Sequence, residues 1–314
     1  MRDAVRIGTR RSPLAVWQAE HVKGLLEKQH SGLSCTLVRI VTQGDKILDR
    51  PLAEVGGKGL FVKEIETALH RGEIDLAVHS MKDLPAELPA GLRLAAIPPR
   101  EDPRDALICR LPSTNLVDLP AGTRIGTSSL RRAAQLRSYR KDFVVEPSRG
   151  NVETRIRRLE EGRFDAIVLA SAGLKRLGLT NRISQVLGTE LCLPAIGQGA
   201  LAIEIREADS NLAQLLQPLN DPVTAACTAA ERAFLAEMEG SCQIPIAALA
   251  ELAGPTLVIT GLIANLDGSV CIRRSAEGLE QDAVALGRLL ALEIREAGGQ
   301  QILAEILREA SRGR

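Results

Sequence analysis

Aromatic residues are scarce in this chain of 314 residues, which has one Trp, one Tyr and four Phe. Proteins that bind single-stranded nucleic acid stack bases on aromatic side chains, so this scarcity argues against that class. The formal net charge is only +1, and the molecule as a whole therefore has no strong attraction for polyanions. Hydrophobic residues make up 45% of the chain, which is typical of a globular protein, and the core must be built from Leu, Ile, Val and Ala.

Closely spaced metal ligands and long apolar runs are also missing. The six Cys stand at positions 35, 109, 192, 227, 242 and 271, and the four His are scattered, so we expect no metal site and no Cys-x-x-Cys redox site. No apolar run reaches the roughly 18 residues that a membrane-spanning helix needs. The N-terminus lacks the apolar segment of a signal peptide. We therefore expect a cytoplasmic protein with reduced thiols and no membrane association.

Short apolar strands alternate with amphipathic helices over most of the chain. A predicted strand at 5–8 is followed by Ser12 and Pro13, which are typical of the first turn of a helix. Apolar residues then recur at helical spacing up to Leu26. The same order of strand and helix continues to a strand at 75–79. This pattern predicts an α/β fold with mainly parallel sheets.

Breaks in this pattern divide the chain into three predicted domains. The Pro-rich segment 98–103 and the Gly-containing segment 193–199 are typical of boundaries or hinges, and a strand at 200–205 is expected to return to the first sheet. The segment 43–59 predicts a lid loop, because functional loops are often this long. The predicted domains are a first α/β lobe at 1–99 plus 200–217, a second α/β lobe at 105–193, and a smaller C-terminal α+β domain at 222–314.

Basic residues stand where predicted strands give way to helices. Ser128 and Ser129 precede Arg131 and Arg132, and a helix N-terminus offers free N–H groups and partial positive charge to an anion. Two positively charged Arg side chains at a helix N-terminus are unfavourable, because this end carries partial positive charge. A bound anion would offset that repulsion. The competing interpretation is a solvated basic turn, and an Arg pair taken alone favours it.

A second turn of this kind contains Arg149, with Asn151 as the expected helix cap. Helical periodicity then places Arg155 at the edge of the buried face and Arg157 on the opposite face. Arg149 and Arg155 are therefore ligand candidates, and Arg157 is expected to be solvated. Together with Arg10 after the first strand, these residues predict a cleft for a ligand with many carboxylates or phosphates, because the guanidinium fork matches both groups.

Three further segments offer reactive side chains, each with an ordinary structural alternative. Lys82 and Asp83 follow a predicted strand, and they are either a surface ion pair of little energetic value or an anion holder beside a carboxylate that stabilises a developing cation. His79 is expected to be either a core residue or one that supports the site without touching the ligand. Cys242 lies on a Gly-containing loop, where it is either a small buried thiol or a group placed for covalent chemistry.

Taken together, eight segments resemble the porphobilinogen deaminase family, in family order and across essentially the whole chain. They are IGTRRSPLA at 7–15, VGGKGLF at 55–61, AVHSMKD at 77–83, REDPRDA at 100–106, GTSSLRR at 126–132, RGN at 149–151, LPAIGQGA at 193–200 and GSCQIP at 240–245. The resemblance implies two lobes like those of periplasmic binding proteins plus a third domain. It also implies a dipyrromethane cofactor, held by a thioether to Cys242, with Asp83 as the catalytic carboxylate.

The resemblance also implies which residues hold the cofactor and the substrate. Those implied to bind acidic groups of the cofactor and the growing chain are Lys82, Ser128, Ser129, Arg131, Arg132, Arg149 and Arg155. Those implied to serve the incoming substrate and the growing product are Arg10, Ser12, Gln18 and Arg176, with Lys58 on the lid loop. Porphobilinogen carries two carboxylates per ring, which agrees with the abundance of Arg.

The implied activity is the stepwise, deaminating condensation of four porphobilinogen molecules into hydroxymethylbilane, a step of tetrapyrrole and haem synthesis, by a monomeric transferase. Two other functions compete with it. A binding protein for an acidic small molecule needs only two lobes and a basic cleft, but such proteins are normally exported. A nucleic-acid binder is suggested by the Arg-rich stretch between Arg124 and Arg176, but the scarce aromatics and the small net charge argue against it.

Overall fold

A computed structural model describes residues 3–46, 59–111, 114–238 and 244–312. By their internal contacts these residues form two compact units. Unit 1 contains the described residues within 3–46, 59–101 and 199–225, and unit 2 contains the described residues within 102–198 and 226–312. The division of the second of these units into a lobe and a C-terminal domain stays a prediction. No described helix is both long enough and apolar enough to cross a membrane.

The strands and helices are numbered here in chain order. Strands β1 to β13 are Ala4–Arg10, Ser34–Ile40, Leu76–Ser80, Leu92–Ala96, Asp105–Cys109, Arg124–Gly126, Val144–Glu146, Ala166–Ala170, Gln185–Val186, Leu201–Arg206, Ile246–Ala253, Thr256–Ala264 and Cys271–Leu279. Helices α1 to α10 are Pro13–Gln29, Gln43–Lys46, Lys63–His70, Leu130–Tyr139, Val152–Glu160, Ser171–Arg176, Ser210–Leu216, Pro222–Glu237, Ala283–Ile294 and Gln300–Arg312.

Unit 1 contains a five-stranded sheet with the order β2-β1-β3-β10-β4. Strand β1 is parallel to β2 and β3, and β10 lies antiparallel between β3 and β4. The predicted return of the strand at 200–205 to the first sheet is thereby confirmed. Helix α1 begins at Pro13 with Ser12 as its cap, and it buries the predicted apolar stripe, including Ala19, Val22 and Leu26, in the core of this sheet.

The Arg-rich stretch folds into a second five-stranded sheet, in unit 2, with the order β7-β6-β8-β5-β9. Strand β6 is parallel to β7 and β8, and β5 is antiparallel to both β8 and β9. It therefore repeats the arrangement of the first sheet, in which one antiparallel strand is inserted next to the last strand. Strand β5 is buried along its whole length, and it was not among the strands predicted from the sequence.

Unit 2 also contains a three-stranded antiparallel sheet with the order β11-β12-β13. A turn that contains Asp267 and Gly268 joins β12 to β13, and the Asp-Gly pair is typical of such hairpins. Strand β11 and helix α10 were not predicted. An apolar cluster joins Ala134 of helix α4 and the loop residue Leu193 to Leu249 and Leu262 of this sheet, so α4 and this loop pack against the three-stranded sheet. The α/β class with an added α+β part is therefore confirmed.

Candidate functional site

The carboxyl ends of two parallel strands meet at one edge of the sheet of unit 1. Strand β1 ends at Arg10, and β3 ends at Ser80, where a 3₁₀ turn, Met81–Asp83, continues the chain. Because neighbouring parallel strands end on the same side, Arg10 and Asp83 come together there. A small cavity at this edge is lined by Arg10, Ser12, Gln18, Phe61, Ser80 and Asp83, among others.

Helix α1 supplies the polar wall of this cavity. The Ser12 hydroxyl accepts a hydrogen bond from the backbone N–H of Ala15 at 3.3 Å, which fixes the helix start beside the end of β1. Gln18, in the second turn, is buried and donates from Nε2 to Ser80 Oγ at 2.9 Å. The structure thus brings Arg10, Ser12, Gln18 and Asp83 around one space, as the resemblance implied. Lys58 lies outside the described residues.

Arg10 is held on three sides at this edge. Asp45 accepts hydrogen bonds from its Nε at 3.2 Å and its Nη2 at 2.5 Å. The guanidinium carbon lies 4.1 Å from the centre of the Phe61 ring, and Nη1 lies 3.9 Å from Asp83 Oδ2. Burial favours a higher pKa for Asp45, but hydrogen bonds from Arg10, the charge of Arg10 and hydrogen bonds from Thr42 outweigh burial and lower this pKa.

Asp45 was missed from the sequence. It lies at the start of the segment predicted as a lid, in a one-turn helix, α2, within that segment. The motif Gln43-Gly44-Asp45 carries no periodic or capping signal that points to Arg10. Residues 47–58 of the predicted lid lie outside the described residues.

Buried charged groups lie beneath the Met81–Asp83 turn. His79 is 5% exposed, and its Nε2 lies 2.9 Å from Glu204 Oε2, which confirms that His79 is a core residue. Glu66 is a buried neighbour. Its pKa is raised by burial first and by the charge of Glu204 second. Lys82 is half-buried on the turn itself.

In unit 2, Ser128 and Ser129 stand between β6 and α4. Ser129 caps the helix by accepting from the N–H of Arg132 at 3.4 Å, and Ser128 Oγ donates to the carbonyl of Ser148 at 2.9 Å. The latter bond ties this turn to the turn that carries Arg149. Both serines are half-buried. Because β6 and β7 are parallel neighbours, the turns that follow them lie side by side at one edge of the second five-stranded sheet.

Arg131 and Arg132 are not a solvated basic turn, and that alternative is wrong. Their side chains are 6% and 7% exposed, and both pair with Asp105, whose side chain is 0% exposed. Arg131 Nη1 donates to Asp105 Oδ2 at 2.7 Å, and Arg132 donates from Nη2 to Oδ1 at 2.7 Å. Gln198 Nε2 donates to Oδ1 as well, at 2.8 Å. Burial favours a higher pKa for Asp105, but the charges and hydrogen bonds of the two Arg hold this pKa well below its usual range.

Arg149 lies in the second turn, and Arg155 lies on the helix α5 that follows it. Gly150 has a φ of 103°, which a residue with a side chain rarely adopts. This conformation aims its carbonyl at Arg155, whose Nε donates to it at 2.9 Å. Asn151 caps α5 through the N–H of Thr154. Arg157 is exposed and pairs with Glu161 at 3.7 Å, which confirms that it is solvated.

Arg155 is largely buried beside this turn, among other positive charges. The pKa of Arg155 is lowered from 12.5 to about 10, by burial first and then by the charges of Arg132, Arg149 and Arg158. A cluster of guanidinium groups that repel one another is stabilised when a ligand brings negative charge. The donor set therefore fits a polycarboxylate such as dipyrromethane. Arg176 ends α6, after β8, and Cys242 lies outside the described residues.

Two family models match this chain. The model described as "Porphobilinogen deaminase, dipyromethane cofactor binding domain" matches residues 5–214, and the model described as "Porphobilinogen deaminase, C-terminal domain" matches residues 225–296. The prediction of a dipyrromethane cofactor is thereby confirmed. The first match alone covers more than half of the chain.

Solved structures are similar only at a low level. The periplasmic aliphatic sulphonate binding protein SsuA from Escherichia coli has a TM-score of 0.41 and 16% identity, and covers 77% of this chain and 73% of its own. The methionine binding protein MetQ has a TM-score of 0.43 and 15% identity, and covers 68% of this chain and 89% of its own. At these values the likeness carries no argument about function.

Curated relatives are similar over nearly the whole chain. The porphobilinogen deaminase of Syntrophotalea carbinolica is 55% identical over 304 residues, which are 97% of this chain and 96% of that protein. That of Geotalea uraniireducens is 53% identical over 98% of this chain and 96% of its own length. That of Chromobacterium violaceum is 52% identical over 98% of this chain and 99% of its own length. The chain therefore belongs to the porphobilinogen deaminase family.

Proposed function

We propose that this chain is a transferase that condenses porphobilinogen molecules, with loss of ammonia, on a dipyrromethane cofactor attached to Cys242, and releases hydroxymethylbilane. The observation that carries the proposal is the meeting of Arg10, Ser12, Gln18 and Asp83 around one cavity of a chain from this family. When bound, the cofactor supplies the nucleophilic pyrrole carbon.

The cavity of unit 1 offers the groups that the substrate needs. The aminomethyl carbon–nitrogen bond of porphobilinogen breaks as ammonia leaves, and positive charge develops on the pyrrole. The carboxylate of Asp83, 33% exposed and at the cavity wall, is placed to stabilise that charge. Arg10 carries the positive charge at the same wall, which suits a carboxylate of the substrate. The new carbon–carbon bond would form at the methylene carbon that lost ammonia, and the ring carbon of the attacking pyrrole would lose its proton. That proton converts ammonia to ammonium, so the step is balanced.

The turns of unit 2 suit the acidic side chains of the cofactor and the growing chain. Ser128 and Ser129 place hydroxyls at the start of α4, and Arg155 lies in the repelling cluster described above. Asp105 holds Arg132 in place beside them. We propose the same role of holding an acidic group for Lys82 of unit 1. For Arg176 of unit 2 we propose contact with the growing product.

Incubation of the purified protein with porphobilinogen tests the proposal, with ammonia release and the absorbance of the tetrapyrrole product as readouts. Intact-mass measurement is the second readout, because a covalent dipyrromethane adds the mass of two pyrrole units to the polypeptide. The proposal predicts both signals. A protein with the mass of the bare polypeptide that binds porphobilinogen without releasing ammonia would instead be a binding protein.

A further inference from the structure

The side chain of Arg10 has two hydrogen-bonding edges, and they face different carboxylates. Its Nε and Nη2 edge lies on Asp45, at 3.2 and 2.5 Å from Oδ1. Its Nη1 lies 3.9 Å from Asp83 Oδ2, which is beyond hydrogen-bond distance. Phe61 covers one face of the guanidinium plane at 4.1 Å. Arg10 therefore stands between two acids but is bound to only one of them.

Asp45 is itself fixed by its neighbours. Its Oδ2 accepts from Thr42 Oγ1 at 2.9 Å and from the Thr42 N–H at 3.3 Å, and Thr42 is fully buried. The next residue before it, Gly44, donates from its N–H to the carbonyl of Leu60 at 2.9 Å. A Cβ at Gly44 would come within 2.2 Å of the Phe61 ring. The same short segment thus positions both the acid and the ring that hold Arg10.

This arrangement differs from an ordinary surface ion pair. Surface pairs contribute little to stability, because two long side chains lose freedom to hold one geometry. Here Asp45 and Arg10 are only 20% and 21% exposed, and the ring and Thr42 restrict both groups. Asp45 and Phe61 thus restrict how the guanidinium group of Arg10 can turn. The next acid within reach of this group is Asp83.

We propose that Asp45 is a positioning residue that keeps Arg10 directed into the cavity of unit 1 and prevents it from closing on Asp83. The proposal rests on the proposed function of that cavity. Without the charge of Asp45, the guanidinium is free to form a direct ion pair with Asp83. In that pair the Arg10 guanidinium would no longer be available to bind the substrate carboxylate, which raises KM. The Asp83 carboxylate would be neutralised and could not stabilise the developing cation, which lowers kcat.

Asp45→Asn is the test variant, because the amide keeps the shape and one acceptor oxygen for Thr42. Asp142→Asn is its matched control in unit 2. There Arg140 donates from Nε to Asp142 at 3.0 Å and from Nη2 at 2.5 Å, and its guanidinium lies 4.4 Å from the centre of the Phe143 ring. The two pairs have the same chemistry, but only the pair of Asp45 faces the cavity.

The expected result is a fall of about 10-fold or more in kcat/KM for Asp45→Asn, with a higher KM and a lower kcat, and a change of less than about twofold for Asp142→Asn. The covalent pyrrole mass should stay that of the wild type in both variants, and the rates are compared well below the thermal midpoint of each variant, because loss of the Asp45 charge also removes some stability. Asp45→Glu, which restores the charge, should recover part of the loss.

A double-mutant cycle separates positioning from a purely structural role. In an Arg10→Gln background, Asp45→Asn should have no further effect, because Asp45 acts through Arg10. The proposal is overturned if Asp45→Asn matches Asp142→Asn, or if the effects of the Arg10 and Asp45 changes multiply as independent losses. A wild-type protein that releases no ammonia from porphobilinogen would instead refute the proposed function, and this inference with it.

Discussion

Replacement of Asp105 by Asn is expected to destabilise unit 2 strongly. The side chain is fully buried and accepts from Arg131, Arg132 and Gln198 at 2.7 to 2.8 Å. The Asn variant leaves two buried guanidinium groups without a counter-charge and turns an NH2 group towards their N–H donors. Breaking one side of a buried ion pair costs about 3–5 kcal/mol. For an unfolding unit of about 200 residues, this loss lowers the thermal midpoint by on the order of 10 °C.

The acid limb of the stability curve gives a second measure of the same interaction. The pKa of Asp105 in the folded protein lies well below its ordinary value of about 3.9. A carboxylate of this kind contributes stability above its unfolded pKa, and the contribution is lost as the pH falls through that value towards the folded pKa. In urea unfolding between about pH 5 and 2, the wild type should therefore lose more stability than Asp105→Asn.

Asp165→Asn is the matched control, since Asp165 makes a bidentate pair with Arg124 in the same sheet but is 33% exposed. An exposed pair of this kind is worth about 1 kcal/mol or less. If both variants lower the midpoint by the same small amount, the burial of the Asp105 cluster does not have the energetic weight assigned to it, and the reasoning fails.

Three further changes address the site itself. Cys242→Ser should fold, lack the covalent pyrrole mass and show no turnover; a fully loaded and active variant would move the attachment to another residue. In that cofactor-free background, Arg155→Gln should raise the free energy of unfolding by on the order of 1 kcal/mol, because the pKa of Arg155 is lowered to about 10 by burial and by neighbouring Arg. With Cys242 present, the Arg155→Gln variant should load less cofactor. A lower free energy of unfolding in the cofactor-free variant would contradict the proposed repulsion between the Arg side chains. Asp83→Asn should keep the pyrrole mass but lose at least about 100-fold in kcat, and rates near those of the wild type would remove Asp83 from the chemistry.

Local sequence signals predicted where several candidate residues lie within their own helix or strand. The Ser12 cap, the apolar stripe of α1 and the contrast between Arg155 and Arg157 all follow from the 3.6-residue period and from capping chemistry. The alternation of strands and helices predicted that strands in each five-stranded sheet pair in parallel, as β1 does with β2 and β3 and β6 does with β7 and β8. Such signals lie within one element, and they are therefore readable without knowledge of what the element packs against.

The partners of the site residues could not be predicted in the same way. Asp105 and Arg131 are separated by 26 residues, and Asp45 and Arg10 by 35. No period or capping rule relates such positions, because they meet only after the strands have paired. Strand β5, which carries Asp105, is buried along its whole length and shows no alternation of apolar and polar residues. An acidic residue at the start of an apolar run therefore gave no indication that two Arg would be buried against it.

The near-zero net charge and the proposed binding of a polyanion are compatible because acids and bases are distributed unevenly. Unit 2 buries two Arg against a single carboxylate, and it places Arg155 where neighbouring guanidinium groups lower its pKa. Unit 1 instead buries the carboxylates of Glu66 and Glu204 beside one imidazole. Over distances beyond about 10 Å, salt screens the field of the whole molecule. We therefore expect recognition of an acidic ligand to depend on the local arrangement of positive groups, which the net charge of the whole chain does not describe.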